Sequence, residues 1–195
     1  MMVQKIGVDF SGVLANFYLA KTQCASELFG VECPPQMFKR KQVVPNLFSD
    51  EQYEQIQKLT YGPEYGSRLT PVPGVVDCLR GLSLEGHKLY VITSRRGAEL
   101  RVAEEWWKRT SDGVPMEFIG TGKGKSKGPA VRELGLDVLV DDDLRKLIQV
   151  SEEAVGTLLF LFSWCYNAHK KLPDRVRRLS SWEQFPHLIA SANFA

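Results

Sequence analysis

Short apolar runs, rich in β-branched or aromatic residues, recur along the chain at residues 6–8, 88–93, 116–119, 138–140 and 157–162. Each reads as a buried strand of a parallel sheet, because a strand covered on both faces is apolar throughout instead of alternating. Helical segments are expected between and after them, at residues 75–84, 98–109, 129–134, 144–151 and 182–190. Strands alternating with helices predict a doubly wound α/β fold with a mainly parallel sheet.

Residues 17–70 break this rhythm. They follow the first apolar run without a clear second strand and are punctuated by Pro34-Pro35, Pro45 and Gly62-Pro63. This stretch is expected to be a small helical insertion, with helices over 18–29 and 50–60. Residues 1–16 and 71–195 then form the α/β core. A chain of 195 residues that is 44% hydrophobic can bury one substantial core and carry such an accessory unit.

Several function classes are disfavoured at once. Lys and Arg number 25 against 23 Asp and Glu, so no basic surface for a nucleic acid polymer is expected. Cys24, Cys33, Cys78 and Cys165 are scattered without a C-x-x-C pair or clustered histidines, against a zinc site or disulfide framework and in favour of a reducing cytoplasm. No run approaches the roughly 20 apolar residues of a membrane span; the longest, residues 157–164, reads as a buried strand.

In open α/β folds ligands bind at the carboxyl ends of the strands. Asp9 ends the first run and is followed by Phe10-Ser11-Gly12. Gly12 permits a tight turn whose backbone N–H groups can face a phosphate, and a carboxylate there can attack phosphorus; the plainer alternative is a helix cap. Thr93 and Ser94 end the second run and can hold phosphoryl oxygens. Asp141, Asp142 and Asp143 follow the fourth, where adjacent carboxylates repel one another unless a cation offsets them. Oxygen donors of this kind suit Mg²⁺, whereas Asp143 also suits capping the next helix. Between residues 120 and 128 lie Lys123, Lys125 and Lys127, one of which can neutralise a phosphate or Asp9. The loop leaves three residues, not four, between Gly120 and Gly124-Lys125-Ser126, so it is not a P-loop, and no G-x-G-x-x-G fingerprint is present.

Taken in order, the stretch from Asp9 to Phe17, Val91-Ile92-Thr93-Ser94-Arg95, Lys127 ahead of a helix, and Val140-Asp141-Asp142 resemble the four motifs of the haloacid dehalogenase (HAD) superfamily. The resemblance is greatest to its 5′(3′)-deoxyribonucleotidase-like branch, with a Gly12-Val13-Leu14-Ala15 phrase, a helical cap after the first strand, and a closing segment with Trp164-Cys165-Tyr166-Asn167, Arg175-Val176 and Ser181-Trp182-Glu183. It implies that Asp9 is a nucleophile forming an aspartyl-phosphate. Mg²⁺ would be held by Asp9, the Ser11 backbone carbonyl and Asp142, with Asp141 behind them. Thr93, Ser94, Gly12 and Lys127 would hold the phosphoryl group, with Lys125 the alternative lysine.

One departure bears on activity. The family usually has a second aspartate where this chain has Ser11. That carboxyl acts as general acid and then base, help typically worth about 10²- to 10⁴-fold, and a serine hydroxyl cannot replace it near neutral pH. The resemblance therefore implies a Mg²⁺-dependent phosphatase for a nucleoside monophosphate or similar small ester, slowed at turnover. A phosphate-binding protein without turnover, or a phosphotransferase or acyl-phosphate hydrolase whose leaving group needs no proton, is the alternative. Phe17, Phe38, Phe48, Tyr61 and Tyr65 are candidates to stack on a base. A homodimer is left open.

Overall fold

The computed structural model describes residues 4–191. Six strands, β1 (Lys5–Val8), β2 (Lys88–Thr93), β3 (Glu117–Gly120), β4 (Val138–Asp141), β5 (Leu158–Phe162) and β6 (Val176–Leu179), form one sheet in the order β3-β2-β1-β4-β5-β6. Every neighbouring pair is parallel. The helices are α1 (Phe17–Phe29), α2 (Arg40–Val43), α3 (Asp50–Tyr61), α4 (Pro63–Gly66), α5 (Val75–Leu84), α6 (Gly97–Thr110), α7 (Gly128–Leu134), α8 (Leu144–Glu153) and α9 (Phe185–Ala190). The doubly wound α/β expectation holds.

The central strands are apolar throughout because both faces are covered. Along β4, Val138 and Val140 join a cluster with Val75 and Leu79 of α5, Trp106 of α6 and Phe185 of α9. Leu139 points the other way, into a cluster with Val131 of α7 and Leu147 and Val150 of α8. Successive side chains of a strand face opposite sides, so one apolar run feeds two cores.

Residues between β1 and β2 form α1 to α4 around a cluster of their own that includes Cys24, Phe38, Phe48, Tyr53, Ile56 and Tyr65. Asn16 caps α1 by accepting from the Leu19 N–H, and Ser49 with Gln52 makes a reciprocal capping box at α3. The chain leaves and re-enters the sheet layer through two paired segments. Asn16 N–H donates to the Thr70 carbonyl and Val72 N–H to the Leu14 carbonyl, each at 2.8 Å, around an antiparallel bridge between Ala15 and Pro71.

Two elements differ from expectation. β6 was not foreseen, since Arg177 and Arg178 interrupt its apolar pattern; an edge strand pairs on one side only, and here just Val176 and Leu179 are buried. The helix expected over 182–190 is a 3₁₀ turn at Trp182–Gln184 followed by α9, which starts at Phe185 with Pro186 in its first turn. Among the described residues all four cysteines are free, and no helix is long and apolar enough to cross a membrane.

Trp182 ties this C-terminal region to the loop after β1. It is fully buried, donates its indole N–H to the Val13 carbonyl at 3.1 Å, and packs on Phe162 and Phe185. Trp182→Ala is expected to cost about 3–5 kcal/mol, as other large-to-small core substitutions do, read as a lowered urea midpoint with unchanged slope.

Candidate active site

β1 lies between β2 and β4, and the order of the strands turns back on itself there, the place where open α/β sheets form a crevice. The ends of these three strands bring together residues far apart in sequence: Asp9 just after β1, Thr93 closing β2, Asp141 closing β4 and Asp142 beyond it. Asp9 N–H donates to the Val140 carbonyl at 2.8 Å, which continues the β1–β4 ladder into the site. Carboxylate oxygens of Asp9, Asp141 and Asp142 lie within 4.8 Å of one another, and all three residues are buried.

Three anions this close need a cation. Lys127, itself 1% exposed, supplies one: its Nζ donates to Asp9 Oδ1 at 2.5 Å and to Asp141 Oδ2 at 2.6 Å. Lys125 is exposed, so burial separates the two lysines that the loop left in competition. Burial pushes the Asp9 carboxyl up, but Lys127 and Lys146 outweigh it and hold it below the usual value. Burial also works against the half-buried Lys146 of α8, yet Asp141, Asp9, Asp142 and Asp143 together raise it well above an ordinary lysine.

Asp142 is the carboxylate left under-compensated. Burial, then the Asp141 charge, push it up to about 6. Its Oδ2 accepts from the Tyr18 hydroxyl at 3.1 Å and from the Tyr166 hydroxyl, with no lysine or arginine in ion-pair contact among the described residues. Buried oxygen donors without histidine or cysteine, and with charge still unmet, fit a hard divalent cation. Asp143 instead takes the capping role: it accepts from Arg145 N–H at 3.0 Å and pairs with the Arg145 guanidinium at 2.8 Å.

The remaining predicted residues surround this centre. Gly12 has φ of 86°, and a Cβ there would stand 2.8 Å from Asp142 Oδ2. Its N–H is held by the Ala15 carbonyl at 2.8 Å, so what it contributes in this conformation is room for Asp142, not the free amide the sequence suggested. Thr93 is buried, its hydroxyl accepting from Arg95 N–H at 3.4 Å, and Ser94 beside it is half-buried. Ser11 is half-buried, its Oγ 3.5 Å from Arg95 Nη2. Of the five aromatics considered for stacking, Phe17 and Tyr61 stand at the seam with the core, 4.8 Å apart edge to face, and both contact Arg95. Phe38, Phe48 and Tyr65 belong to the insertion's own core.

Sequence reasoning missed several neighbours. Trp164 donates to the Gly12 carbonyl at 2.6 Å, and Asn167 Nδ2 to the Asp142 carbonyl at 3.0 Å. These two and Tyr166 follow β5 directly, so the strand-end rule that found Asp9 would have found them. Lys146, one turn into the helix after the aspartates, had a signal in its spacing. Lys21, buried in α1, had none.

A family model described as 5′ nucleotidase, deoxy (pyrimidine), cytosolic type C protein matches residues 1–194. A Chlorobaculum tepidum protein named as a candidate 5′(3′)-deoxyribonucleotidase is 24% identical over 193 residues, covering 94% of this chain and 89% of its own. Among solved structures, a candidate phosphoglycolate phosphatase from Lactobacillus delbrueckii superposes with a TM-score of 0.65 at 15% identity, covering 97% of this chain and 99% of its own. A HAD family hydrolase from Deinococcus radiodurans, with bound phosphate and sodium, does so at 0.61 and 13% identity, covering 98% and 97%. At such identities the structural likeness speaks for the fold.

Lys127 makes the acidic cluster testable. Lys127→Met leaves two buried carboxylates without their cation, and breaking a buried pair costs about 3–5 kcal/mol. With its pKa depressed in the native protein, Asp9 contributes stability above its unfolded value of 3.8 that is lost only as pH falls through the still lower folded value. Without Lys127, burial and Asp141 should raise that pKa instead. The deficit of the variant in urea unfolding is expected to be large at pH 7 and smaller at pH 5.

Proposed function

We propose that this chain, which belongs to the 5′ nucleotidase, deoxy (pyrimidine), cytosolic type C family and is thus a HAD-type phosphatase, hydrolyses small phosphate monoesters through Asp9, a nucleoside monophosphate being the first candidate. The observation that carries this reading is the buried cluster of Asp9, Lys127, Asp141 and Asp142 at the ends of adjacent parallel strands.

In this reading an Asp9 carboxylate oxygen attacks phosphorus, the bond to the ester oxygen breaks, and the phosphoryl group stays on Asp9 until water releases it. Lys127, fixed beside Asp9, offsets charge on the phosphoryl oxygens. Thr93 and Ser94 close the other side and hold those oxygens. Asp9, Asp142 and the Ser11 carbonyl would hold Mg²⁺, with Asp141 positioning Lys127; when bound, the ion would supply positive charge that lessens the repulsion between the carboxylate and the phosphoryl group. Residues 17–70 act as a cap, supported by their separate core and their entry and exit through the paired segments at 14–16 and 70–72. Four free thiols support a reducing cytoplasm.

A second reading rests on Ser11. Its nearest described side-chain partner is an arginine, which donates hydrogen bonds but does not exchange protons near neutral pH, so a leaving alkoxide has no evident acid. A binding protein without turnover, or an enzyme whose leaving group departs as an anion, follows from that.

A phosphate-release panel separates these readings. With Mg²⁺ present the wild-type protein is expected to hydrolyse at least one small monophosphate, Asp9→Asn to lower the rate by about 10³-fold or more, and Ser11→Asp to raise it by about 10- to 10²-fold. Release that survives Asp9→Asn unchanged overturns the nucleophile. Mg²⁺-dependent binding without release, converted to release by Ser11→Asp, supports the second reading.

A further inference from the structure

Two cations are buried at the seam between the helical insertion and the sheet without a direct ion pair among the described residues. Arg95 is 0% exposed. Its Nη1 donates to the Tyr61 carbonyl at 3.3 Å, its Nη2 reaches Ser11 Oγ at 3.5 Å, and its Nε has no acceptor. The guanidinium carbon stands 4.6 Å from the Phe10 ring centre, 4.2 Å from Tyr61 and 5.3 Å from Phe17. Lys21, 6% exposed, reaches the same Phe17 ring from α1, with Nζ 5.1 Å from its centre, and donates only to the Tyr53 hydroxyl at 3.0 Å. Among the described residues neither side chain enters an ion pair.

Aromatic faces offset part of the cost of burying a cation but supply no anion. Burial first, and then Lys39, bring Lys21 down to about 7 against the opposing pull of Glu54 and Asp142, with Arg95 adding to the repulsion. Two mutually repelling cations, one with an orphaned N–H, have been brought to one aromatic seam. Neither pairs directly with Asp9 or Asp141, which Lys127 already holds, although Asp9 and Glu99 act on Arg95 at longer range. Arg95 instead faces Ser11, two residues from the nucleophile, and Lys21 lies behind Phe17 in the insertion. Lys123 adds an exposed cation at the rim, 5.5 Å from the Tyr61 ring centre.

We infer that Lys21 and Arg95 form a subsite for a second anionic group of the substrate, so that this protein prefers small phosphate esters that also carry a second phosphate or a carboxylate. The inference rests on Asp9 being the phosphate site. It refines the proposed function by ranking, among small phosphate monoesters, doubly charged molecules such as a nucleoside bisphosphate or a phosphorylated carboxylic acid ahead of a plain nucleoside monophosphate. Such a ligand would give both cations the direct anionic partner that the described residues do not, with Arg95 offering its forked donors.

The test compares matched ligands on the full chain. Calorimetric titrations with Mg²⁺ use Asp9→Asn, which prevents consumption, and two pairs: a nucleoside 5′-monophosphate against its 3′,5′-bisphosphate, and glycerol 3-phosphate against 3-phosphoglycerate. In at least one pair the second anion should tighten binding tenfold or more, and which pair responds tells phosphate from carboxylate. Adding Lys21→Met should bring that ratio below about threefold, Lys21→Arg should retain it, and thermal unfolding should show Lys21→Met folded and no less stable, since it removes an uncompensated charge. Equal binding within both pairs, or a ratio that survives Lys21→Met, overturns the inference while leaving the phosphate site intact. Failure of every phosphate to bind removes both.

Discussion

The contact on which the site depends is the one from Lys127 to Asp9 and Asp141. Two strands that end side by side deliver two carboxylates to one place, and no sheet can hold them there buried without a cation between them. That cation must come from outside the sheet, because residues on β1 and β4 have only those two strand ends to offer. It comes from the residue just ahead of α7, drawn in by a loop packed tightly at its end. Ser126 Oγ donates to Glu153 of α8 at 2.8 Å, and a Cβ on Gly128 would fall 2.1 Å from the same carboxylate oxygen. A sequence that looks like a flexible, lysine-rich nucleotide loop is here a means of pressing one lysine inward while Lys123 and Lys125 stay in water.

Asp142 extends this constraint to the rest of the chain. Tyr18 belongs to the insertion and Tyr166 to the segment after β5, yet both hydroxyls meet the same carboxylate oxygen, and their rings lie 5.1 Å apart. Lys39, also from the insertion, stands 3.6 Å from the Tyr166 ring centre. The seat of the insertion is therefore tied to the least compensated charge in the site. Anything that neutralises Asp142 changes what these tyrosines hold, so the charge on Asp142 and the seating of residues 17–70 are physically linked.

How legible this was depended on distance in sequence. The five apolar runs and their intervening helices could be read because hydrophobic periodicity is local, and the strand-end rule converted them into a site that included Asp9, Thr93 and Asp141. β6 escaped because an edge strand needs only two buried residues, Val176 and Leu179, to hold its place. The resemblance already favours Lys127 over Lys125; what only the fold supplies is the physical reason, the packing of Gly128 on Glu153, a contact spanning 25 residues. Gly12 was read for its amide, whereas its lack of a side chain against Asp142 is what the fold uses, and only the tertiary structure brings Asp142 there. Arg95 stands in the sequence beside Thr93 and Ser94, but its burial without an ion pair among the described residues is a property of the folded protein alone.

That buried, unpaired charge bears on the serine at position 11, whose Oγ lies 3.5 Å from Arg95 Nη2. The carboxyl it replaces would contribute about 10²- to 10⁴-fold by moving a proton, and a guanidinium does not move protons near neutral pH, since it stays charged even where burial lowers its pKa, as it does for Arg95. What a fixed donor can do is stabilise charge that develops on a leaving oxygen, an effect of about 10²- to 10³-fold for one well-placed group. The two magnitudes overlap, so a buried arginine near the leaving oxygen would offset part, not all, of what the missing carboxyl costs. The exchange does change which molecules can benefit. A simple alkoxide leaves as a strong base and still needs a proton, whereas an oxygen that departs as phosphate or carboxylate needs only a cation to meet it. Ser11 and Arg95 therefore bear on two separate properties: the missing carboxyl limits proton transfer to a leaving alkoxide, and a second anion elsewhere on the substrate, which Arg95 would favour, does not remove that need.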